Sequence, residues 1–264
     1  MEQSTTFLAI DTSTAVMAGA VMQDCHVPAV IQTEAERNHS VHIMTNIEAM
    51  LRDSGVKANN IDCYVVGIGP GSYTGVRIAV TAAKTLAWTF GKAIIKVSSL
   101  EALAFSALQD QQAPSTSYKK VLIAPIMDAR RGQVYTASFS IDTEQEQSWQ
   151  RTTEDKIVLM ADWVDELLHI LLQEEAKYDE LWIAGDVHLH QEAIIKLQEK
   201  ASIPVCSTST KMNGEALAKL GRLYVNRPES KLTEEDIYRL APNYAQLTEA
   251  EVKQRAKERE AGNA

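Results

Sequence analysis

Two short segments of this 264-residue sequence carry the residue types best suited to chemistry: a glycine-rich loop and a polar turn. The loop Gly67–Gly75 follows one predicted strand and opens a predicted helix. Glycines let the backbone approach a ligand closely, and the free N–H groups at a helix start favour anions. The polar turn holds Asp11, Thr12 and Ser13 at the end of the first predicted strand. Together the two segments predict a two-part phosphate clamp.

Each segment also has a purely structural interpretation. The loop lacks the Gly-Lys-Ser/Thr ending of a P-loop, and Gly75 comes one residue late for the GxGxxG pattern of a dinucleotide site. A tight turn that packs a helix on a sheet would explain the glycines, and an Asx-type turn would explain Asp11. Both interpretations stay open at this point. The candidate nucleotide or phosphate residues are Asp11, Thr12, Ser13, Gly69, Gly71, Ser72, Thr74 and Arg77.

The histidines and cysteines predict neither a metal site nor a nucleophile. His39 and His42 lie three residues apart and His188 and His190 two apart, and neither pair has the spacing and carboxylate of an HExxH motif. There is no GxSxG elbow, and the three cysteines are scattered without a CxxC pair. Scattered thiols of this kind are typical of reduced, cytosolic proteins. We therefore expect no metal site, no histidine or cysteine nucleophile motif, and a cytoplasmic location.

Two helices around the loop carry more apolar surface than one sheet-facing side requires. They are predicted at Asn38–Arg52 and Val76–Phe90. The surplus indicates a partner surface, although a second lobe covering both helices would explain it equally well. The candidate partner-interface residues are His39, His42, Ile43, Met44, Ile47, Met50, Leu51, Ala79, Ala83 and Leu86.

These segments must be positioned by the strands and helices around them. Three short strands at the start predict an antiparallel meander, after which helices and strands alternate. A polar linker follows near residue 110, and the rest of the chain supplies a second set of elements. We predict α/β lobes with mixed sheets flanked by helices at residues 1–110 and 111–264, a surface excursion at 142–153, and a charged tail from residue 249. The predicted helix caps are Ser98 (with Glu101 in a capping box), Asp162 and Asn213.

The charge balance argues against one class of function. The chain has 26 lysines and arginines against 35 aspartates and glutamates, a net charge of -9. Because nucleic-acid affinity comes mainly from phosphate neutralisation, we do not expect a free-standing nucleic-acid binder. Arg130, Arg131, Lys119 and Lys120 form a candidate local RNA contact, or else solvated surface. No apolar run approaches the length of about 18 residues that predicts a membrane span.

Five segments of the sequence resemble the TsaB family of bacterial threonylcarbamoyladenosine-biosynthesis subunits. They are Ala9–Ser13, Gly67–Arg77, Ser98–Ala104, Asp128–Tyr135 and Ala241–Tyr244. The resemblance runs nearly end to end and is most specific in Gly-Pro-Gly-Ser-Tyr-Thr-Gly-Val-Arg. The family pattern often continues Tyr-Leu-Arg where this chain has Tyr244, Ala245 and Gln246.

The resemblance implies a two-lobed actin-like fold, of the sugar kinase/Hsp70/actin and RNase H-like type. It also implies a catalytic paralogue of the TsaD type, which transfers a threonylcarbamoyl group to the adenosine beside the anticodon of ANN-decoding tRNAs. That paralogue holds its metal with two histidines, and Ser99 and Leu103 stand at those positions here. Because leucine offers no lone pair to a metal, the resemblance implies a non-catalytic subunit without a cofactor. Weak nucleotide binding stays open.

The resemblance further implies the partners. The chain is expected to form a heterodimer with the TsaD-type subunit, to receive a small TsaE-type ATPase, to pair with itself when alone, and to meet tRNA only indirectly or weakly. Two other functions stay open. One is an actin-like nucleotide hydrolase or kinase that uses Asp11 and the Gly69–Gly75 loop, and the other, with less support, is a peptidase, because the family has carried a glycoprotease label.

Overall fold

A computed structural model describes residues 5–34, 39–110, 120–142, 148–173, 178–227, 231–232 and 234–245. Within them the first half contains β1 (Thr6–Asp11), β2 (Val16–Gln23), β3 (His26–Glu34), α1 (His39–Ser54), β4 (Cys63–Gly67), α2 (Tyr73–Phe90), β5 (Ala93–Val97) and α3 (Ser99–Gln109). The second half contains β6 (Lys120–Asp128), β7 (Gln133–Asp142), β8 (Gln150–Leu159), α4 (Met160–Gln173), β9 (Glu180–Gly185), α5 (Gln191–Lys200), β10 (Val205–Thr208), α6 (Gly214–Tyr224), β11 (Lys231–Leu232) and α7 (Glu234–Arg239).

The strands form two mixed sheets that repeat one arrangement. The first sheet runs β11-β5-β4-β1-β2-β3 and the second runs β10-β9-β6-β7-β8. In each, an antiparallel meander of three strands is extended by two parallel strands, so that β1 corresponds to β6 and β4 to β9. The central strand β1 is buried along its whole length and β6 is buried except at its ends, because helices cover both faces of each sheet.

Helices α3 and α6 lie between the two sheets, each on the sheet of the opposite half. Helix α3 packs on β6, β7 and β9, whereas α6 packs on β1, β2 and their neighbours. The approach of α6 depends on glycines, because a Cβ on Gly214 would lie 2.2 Å from the backbone of Gly19 and one on Gly221 would lie 2.3 Å from the Val65 side chain. Strand β11 also returns to the first sheet, beside β5. The domain division near residue 110 stays a prediction.

Three apolar clusters fill the layers. One lies between the sheets and includes Phe7, Leu103, Phe139, Trp149 and Leu217. The other two lie on the outer sides, beneath α1 and α2 in the first lobe and beneath α4 and α5 in the second. None of the helices in the described ranges is long and apolar enough to cross a membrane.

The predicted caps have mixed outcomes. The Ser98 hydroxyl accepts a hydrogen bond from the Glu101 N–H, and the Asn213 side chain accepts one from the Glu215 N–H, so both caps are confirmed. Asp162 was expected to cap α4, but that helix begins at Met160 and Asp162 lies in its first turn. The carboxylate of Glu101 does not complete a capping box, because it is hydrogen-bonded elsewhere.

The surface excursion predicted at 142–153 is wrong in its last part. Residues 150–153 begin strand β8, which pairs with β7 in the register Ser140 to Gln150. The strand was missed because its polar residues alternate along a half-exposed edge, which leaves no apolar run. Residues 143–147, the linker at 111–119 and the tail from 249 lie outside the described residues.

Candidate functional site

Asp11 lies at the end of β1 and is fully buried. One carboxylate oxygen accepts a hydrogen bond from the Ser13 N–H at 2.7 Å, as in an Asx turn, and the other accepts one from the Ser99 hydroxyl at 2.6 Å. The Ser99 hydroxyl in turn accepts the Gly69 N–H at 3.0 Å. A Cβ on Gly67 would lie 1.7 Å from the same carboxylate. Asp11 thus fastens the polar turn, the start of α3 and the glycine loop to one another.

The two halves of the predicted clamp contact each other directly. The Ser72 N–H donates to the Ser13 carbonyl at 2.7 Å, and the Thr12 hydroxyl donates to the Gly75 carbonyl at 2.6 Å. The Gly75 N–H is directed to the Ser72 hydroxyl, which caps α2. A Cβ on Gly75 would lie 1.9 Å from the Thr12 carbonyl oxygen, so only glycine permits this approach. These three donors are therefore hydrogen-bonded within the chain, whereas the buried Ser13 hydroxyl has no hydrogen-bond partner among the described residues.

A C-terminal strap, residues Ala241–Tyr244, lies over the glycine loop. The Asn243 N–H donates to the Ile68 carbonyl at 2.7 Å, and the Tyr244 ring stacks on Tyr73 with centroids 4.9 Å apart. The Asn243 side chain also donates to Asp155 of β8 at 3.1 Å. The strap therefore covers the loop and ties it to the second sheet.

Six of the eight predicted phosphate residues come together at this place: Asp11, Thr12, Ser13, Gly69, Gly71 and Ser72. The other two do not join them. Thr74 is exposed, and the exposed Arg77 guanidinium donates to the Tyr73 hydroxyl at 3.2 Å. The predicted proximity of turn and loop is thus correct, and its result is a closed contact between them.

The positions at which the resemblance implies metal-binding histidines serve packing. Ser99 donates its hydroxyl hydrogen bond to Asp11. Leu103 is buried between the sheets, where a Cβ on Gly185 would lie 2.9 Å from its side chain. Across the described ranges there is no group of three or more His, Cys, Asp or Glu side chains that could hold a metal ion.

A buried polar network next to the site was not predicted. Glu101 accepts the Trp149 indole N–H at 2.9 Å and also the Tyr224 hydroxyl, and it lies 3.4 Å from the Arg151 guanidinium. Arg151 contacts Asp155 at 2.6 Å. Burial alone would lower the pKa of Arg151, but Asp155 and Glu101 outweigh it and raise the pKa. Burial and the Glu101 charge raise the pKa of Tyr224. No local pattern could reveal partners this distant in sequence.

The corresponding edge of the second lobe is more open. Asp128 ends β6 as Asp11 ends β1, and its carboxylate is partly exposed. Its N–H donates to the Asp186 carboxylate at 2.8 Å, and its carboxylate lies 3.4 Å from His190 Nε2. The next turn holds Arg130 and Arg131, both exposed and both in the left-handed region with φ of 65° and 55°.

The predicted patch of Arg130, Arg131, Lys119 and Lys120 is wrong as one surface. Lys120 begins β6 and the arginines follow its end, so a nine-residue strand separates them. At the usual rise of a strand this separation is about 26 Å. Lys119 lies outside the described residues.

The predicted partner interface is wrong for most of its residues, because they are buried or partly buried within this chain. Five of its ten residues lie in the chain's own core between α1, α2 and the first sheet: Ile43, Ile47, Met50, Ala79 and Ala83. His39 is buried as well, and Leu51 and Leu86 are partly buried, whereas His42 and Met44 are exposed. The apolar stripe that predicts a partner surface packs on the first sheet instead. The large apolar side chains of α1 and α2 that remain exposed include Tyr73, which stacks on Tyr244, and Val41, Met44 and Trp88. The last three are exposed by 67%, 46% and 76%, and we call them the outer α1–α2 face.

A cavity of about 1000 Å³ lies at the other end of β1 from Asp11. Its walls include Phe7, Trp149 and Tyr224 from the layer between the sheets, with Arg222 beside them. The cavity is therefore separate from the predicted clamp.

The repeated sheet order, the polar turn after the first strand and the glycine loop before α2 define an actin-like fold of two lobes. A family model described as TsaD, tRNA N6-adenosine threonylcarbamoyltransferase, matches residues 27–253. The chain belongs to the TsaB family of tRNA threonylcarbamoyladenosine biosynthesis proteins, within this wider group.

Individual relatives agree with this assignment. The TsaB protein of Bacillus subtilis is 36% identical over 249 residues, which cover 94% of this chain and 97% of that protein. The TsaB protein of Haemophilus influenzae is 33% identical over 136 residues, covering 50% of this chain and 53% of that one. A Pseudomonas aeruginosa structure described as an uncharacterized protein with similarity to peptidase YEAZ superposes with a TM-score of 0.70 at 22% identity, covering 92% of this chain and 100% of that one. That last likeness concerns the fold alone.

Proposed function

We propose that this chain is a non-catalytic subunit in the formation of threonylcarbamoyladenosine on tRNA, and that it pairs with a TsaD-type catalytic subunit and activates it. The observation that carries the proposal is the closed clamp. The Ser72 N–H, the Thr12 hydroxyl and the Gly75 N–H are donors that could bind a phosphate, and each is hydrogen-bonded within the chain. Family membership supports the tRNA pathway.

A closed clamp, in which the turn and the loop are hydrogen-bonded to each other, is consistent with a subunit that acts as a scaffold. Asp11 and the strap fix the first lobe, and the fixed lobe presents α1 and α2. Binding to one arrangement of the catalytic subunit shifts that subunit's population toward it. The activation we propose therefore needs binding energy but no reacting group on this chain.

The outer α1–α2 face is the proposed contact with the catalytic subunit. Val41, Met44 and Trp88 together expose large apolar side chains on adjacent helices of one lobe. When the partner is absent, the same face can pair with a second copy, because one patch serves both chains across a two-fold axis. A small TsaE-type ATPase would dock on the assembled pair in the cytoplasm.

The alternative as a nucleotide hydrolase or kinase would require the Gly69–Gly75 loop to release its hydrogen bonds to Ser13, Ser72 and Ser99. The direct test is nucleotide binding and turnover by the purified chain. Turnover that Asp11→Ala abolishes would support the alternative and contradict the scaffold proposal. For a peptidase, no observation within the described residues supplies a nucleophile with its base.

Reconstitution tests the main proposal. Unmodified tRNA, the threonylcarbamoyl donor, a TsaD-type subunit and a TsaE-type subunit are combined with and without this chain. We expect modification only when both the catalytic subunit and this chain are present. Modification by this chain alone, or full modification without it, would overturn the proposal.

Substitutions that introduce charge on the outer α1–α2 face test the proposed contact with the catalytic subunit. Met44→Glu with Trp88→Glu places two carboxylates in an apolar contact, and we expect heterodimer affinity to fall at least tenfold, measured by sedimentation or calorimetry. Ile195→Glu is the matched control, since Ile195 is 52% exposed on α5 of the other lobe. Unchanged pairing in the double variant would remove the outer face from the interface. Ile47→Glu is unsuited to this test, because Ile47 is a core residue.

A further inference from the structure

The β6–β7 turn, residues Ala129–Gly132, has an unusual backbone for its sequence. Arg130, Arg131 and Gly132 follow one another with φ of 65°, 55° and 73°. A side chain with a Cβ is disfavoured in this region, and glycine or asparagine is the usual choice. Two arginines therefore occupy positions that the backbone alone would not select.

The turn is held in place from both sides. The Ala129 N–H donates to the Gln133 carbonyl at 2.9 Å, and the Gln133 N–H donates to the Arg130 carbonyl at 3.0 Å. The Met160 N–H, at the start of α4, donates to the Gly132 carbonyl at 2.8 Å. The surrounding structure thus imposes the strained conformation, and strain of this kind clusters at functional sites.

The two guanidinium groups keep their donors free. Three arginines elsewhere are engaged, because Arg151 and Arg239 pair with carboxylates and Arg227 lies over the Tyr224 ring. The guanidinium groups of Arg130 and Arg131 make no hydrogen bond, ion pair or ring contact to any part of the chain that the structure describes. An unpaired guanidinium presents a planar fork of donors that matches the geometry of a phosphate.

We propose that Arg130 and Arg131 bind phosphodiester groups of an RNA backbone. The proposal rests on the proposed function, which brings tRNA to the complex. A backbone fits better than a small free anion, because Arg130, Arg131 and Gly132 are all exposed and form no enclosed cradle. With a net charge of -9 the chain gains little RNA affinity by itself, so the turn adds two contacts to a tRNA that the catalytic subunit already holds.

The experiment measures the affinity of labelled, unmodified tRNA for the assembled complex at several salt concentrations. Arg130→Gln with Arg131→Gln removes two phosphate contacts. We expect binding about tenfold weaker at low salt, and a log–log salt slope smaller by about 1 to 2. Arg130→Lys with Arg131→Lys keeps both charges and is expected to retain the slope.

Two further variants separate binding from folding. Arg222→Gln is the matched control, because Arg222 is also exposed and without a contact to the described residues but lies on α6. Arg130→Asn with Arg131→Gly relieves the backbone strain, so it should raise Tm while weakening tRNA binding. A purely structural turn would show higher Tm and unchanged binding.

The outcomes of these experiments distinguish a failure of the proposed function from a failure of the proposed RNA contact. If the wild-type complex fails to modify tRNA, the proposed function fails. If it modifies tRNA and the double glutamine variant keeps the wild-type affinity and slope, only the RNA contact is wrong. If inorganic phosphate raises Tm of the wild type but not of that variant, while tRNA affinity is unaffected, the turn binds a small anion and the RNA proposal is overturned.

Discussion

The turn after β1 and the turn after β6 occupy equivalent positions in two sheets with the same strand order, yet their surroundings are opposite. In the first lobe, Asp11 is buried and the glycine loop lies directly against the turn. In the second lobe, Asp128 is partly exposed and a Cβ on Gly132 would meet nothing within 4 Å. One topology therefore supports a sealed turn in one half and an open, cationic turn in the other.

The difference arises from the segment that comes directly after the fourth strand of each lobe. Gly67 at the end of β4 makes room for the Asp11 carboxylate, and Gly71 and Gly75 beyond it allow backbone-to-backbone approach. The strap lies over this loop. At the end of β9, Gly185 makes a similar close approach to the Ile126 backbone, and a short 3-10 turn at Val187–Leu189 comes next. Within an unchanged sheet order, a few glycines thus decide whether the end of the sheet is filled by the chain itself.

Removal of the buried Asp11 carboxylate is expected to give the largest difference in stability between the two turns. Asp11→Ala leaves the Ser13 N–H and the Ser99 hydroxyl without their acceptor, and we expect a loss of about 4 kcal/mol in the free energy of unfolding, measured by urea titration. The matched change Asp128→Ala should cost about 1 kcal/mol or less, because that carboxylate is partly exposed and lies 3.4 Å from His190 Nε2. Equal losses at the two sites would show that the turns are energetically alike.

A side chain added where Gly75 approaches the Thr12 carbonyl is expected to have the next largest effect on stability. Gly75→Ala brings a Cβ to 1.9 Å from the Thr12 carbonyl oxygen, so the backbone must move, and we expect a loss of about 3 kcal/mol. Gly132→Ala meets no neighbouring atom and should cost only about 1 kcal/mol, from its left-handed φ of 73°. Urea unfolding of both variants measures the difference, and a tolerated Gly75→Ala would contradict the sealed contact.

Relief of strain should change stability in the opposite direction. Arg130→Asn with Arg131→Gly is expected to raise the free energy of unfolding by about 1 kcal/mol, because both new residues tolerate positive φ. A rise in Tm without a change in the far-ultraviolet circular dichroism would support this expectation. A fall in stability would mean that the arginine side chains stabilise the turn after all.

The strap is expected to give the smallest effect. Tyr244→Ala removes the stack on Tyr73 and should cost about 1 kcal/mol, since the pair is partly exposed. Hydrogen exchange of the Asn243 amide, which is bonded to Ile68, is the more sensitive measurement and should become faster. Tyr238→Ala is the control, because Tyr238 is 85% exposed, and faster exchange in both variants would rule out a specific effect of the stack.

Much of the first lobe could be predicted because its strands are short apolar runs between polar turns. The meeting of Asp11 with the glycine loop was also predictable, since both follow neighbouring parallel strands. The mutual satisfaction of their polar groups could not be predicted, because it depends on approaches of a few ångströms set by strand register. The sheet-facing stripe of Ile43, Ile47 and Met50 was misassigned for a related reason. An apolar stripe does not reveal what covers it.

Short strands late in the chain and contacts between its two halves were less predictable. Strand β10 has four residues and β11 has two, too few for a periodic pattern. Glu101 matched a capping box locally, and its actual partners, Trp149 and Tyr224, are 48 and 123 residues away in the sequence. Such long-range polar contacts leave no signal in a single sequence.

The placement of α6 on the first sheet has a consequence for how the chain is made. Until Gly214–Tyr224 leaves the ribosome, Val65 and the inner face of the first sheet lack the cover that α6 provides in the folded chain. At ordinary elongation rates, more than a hundred residues separate α3 from that moment, a delay of roughly 10 s. The nascent first half therefore exposes apolar sheet surface until synthesis is nearly complete.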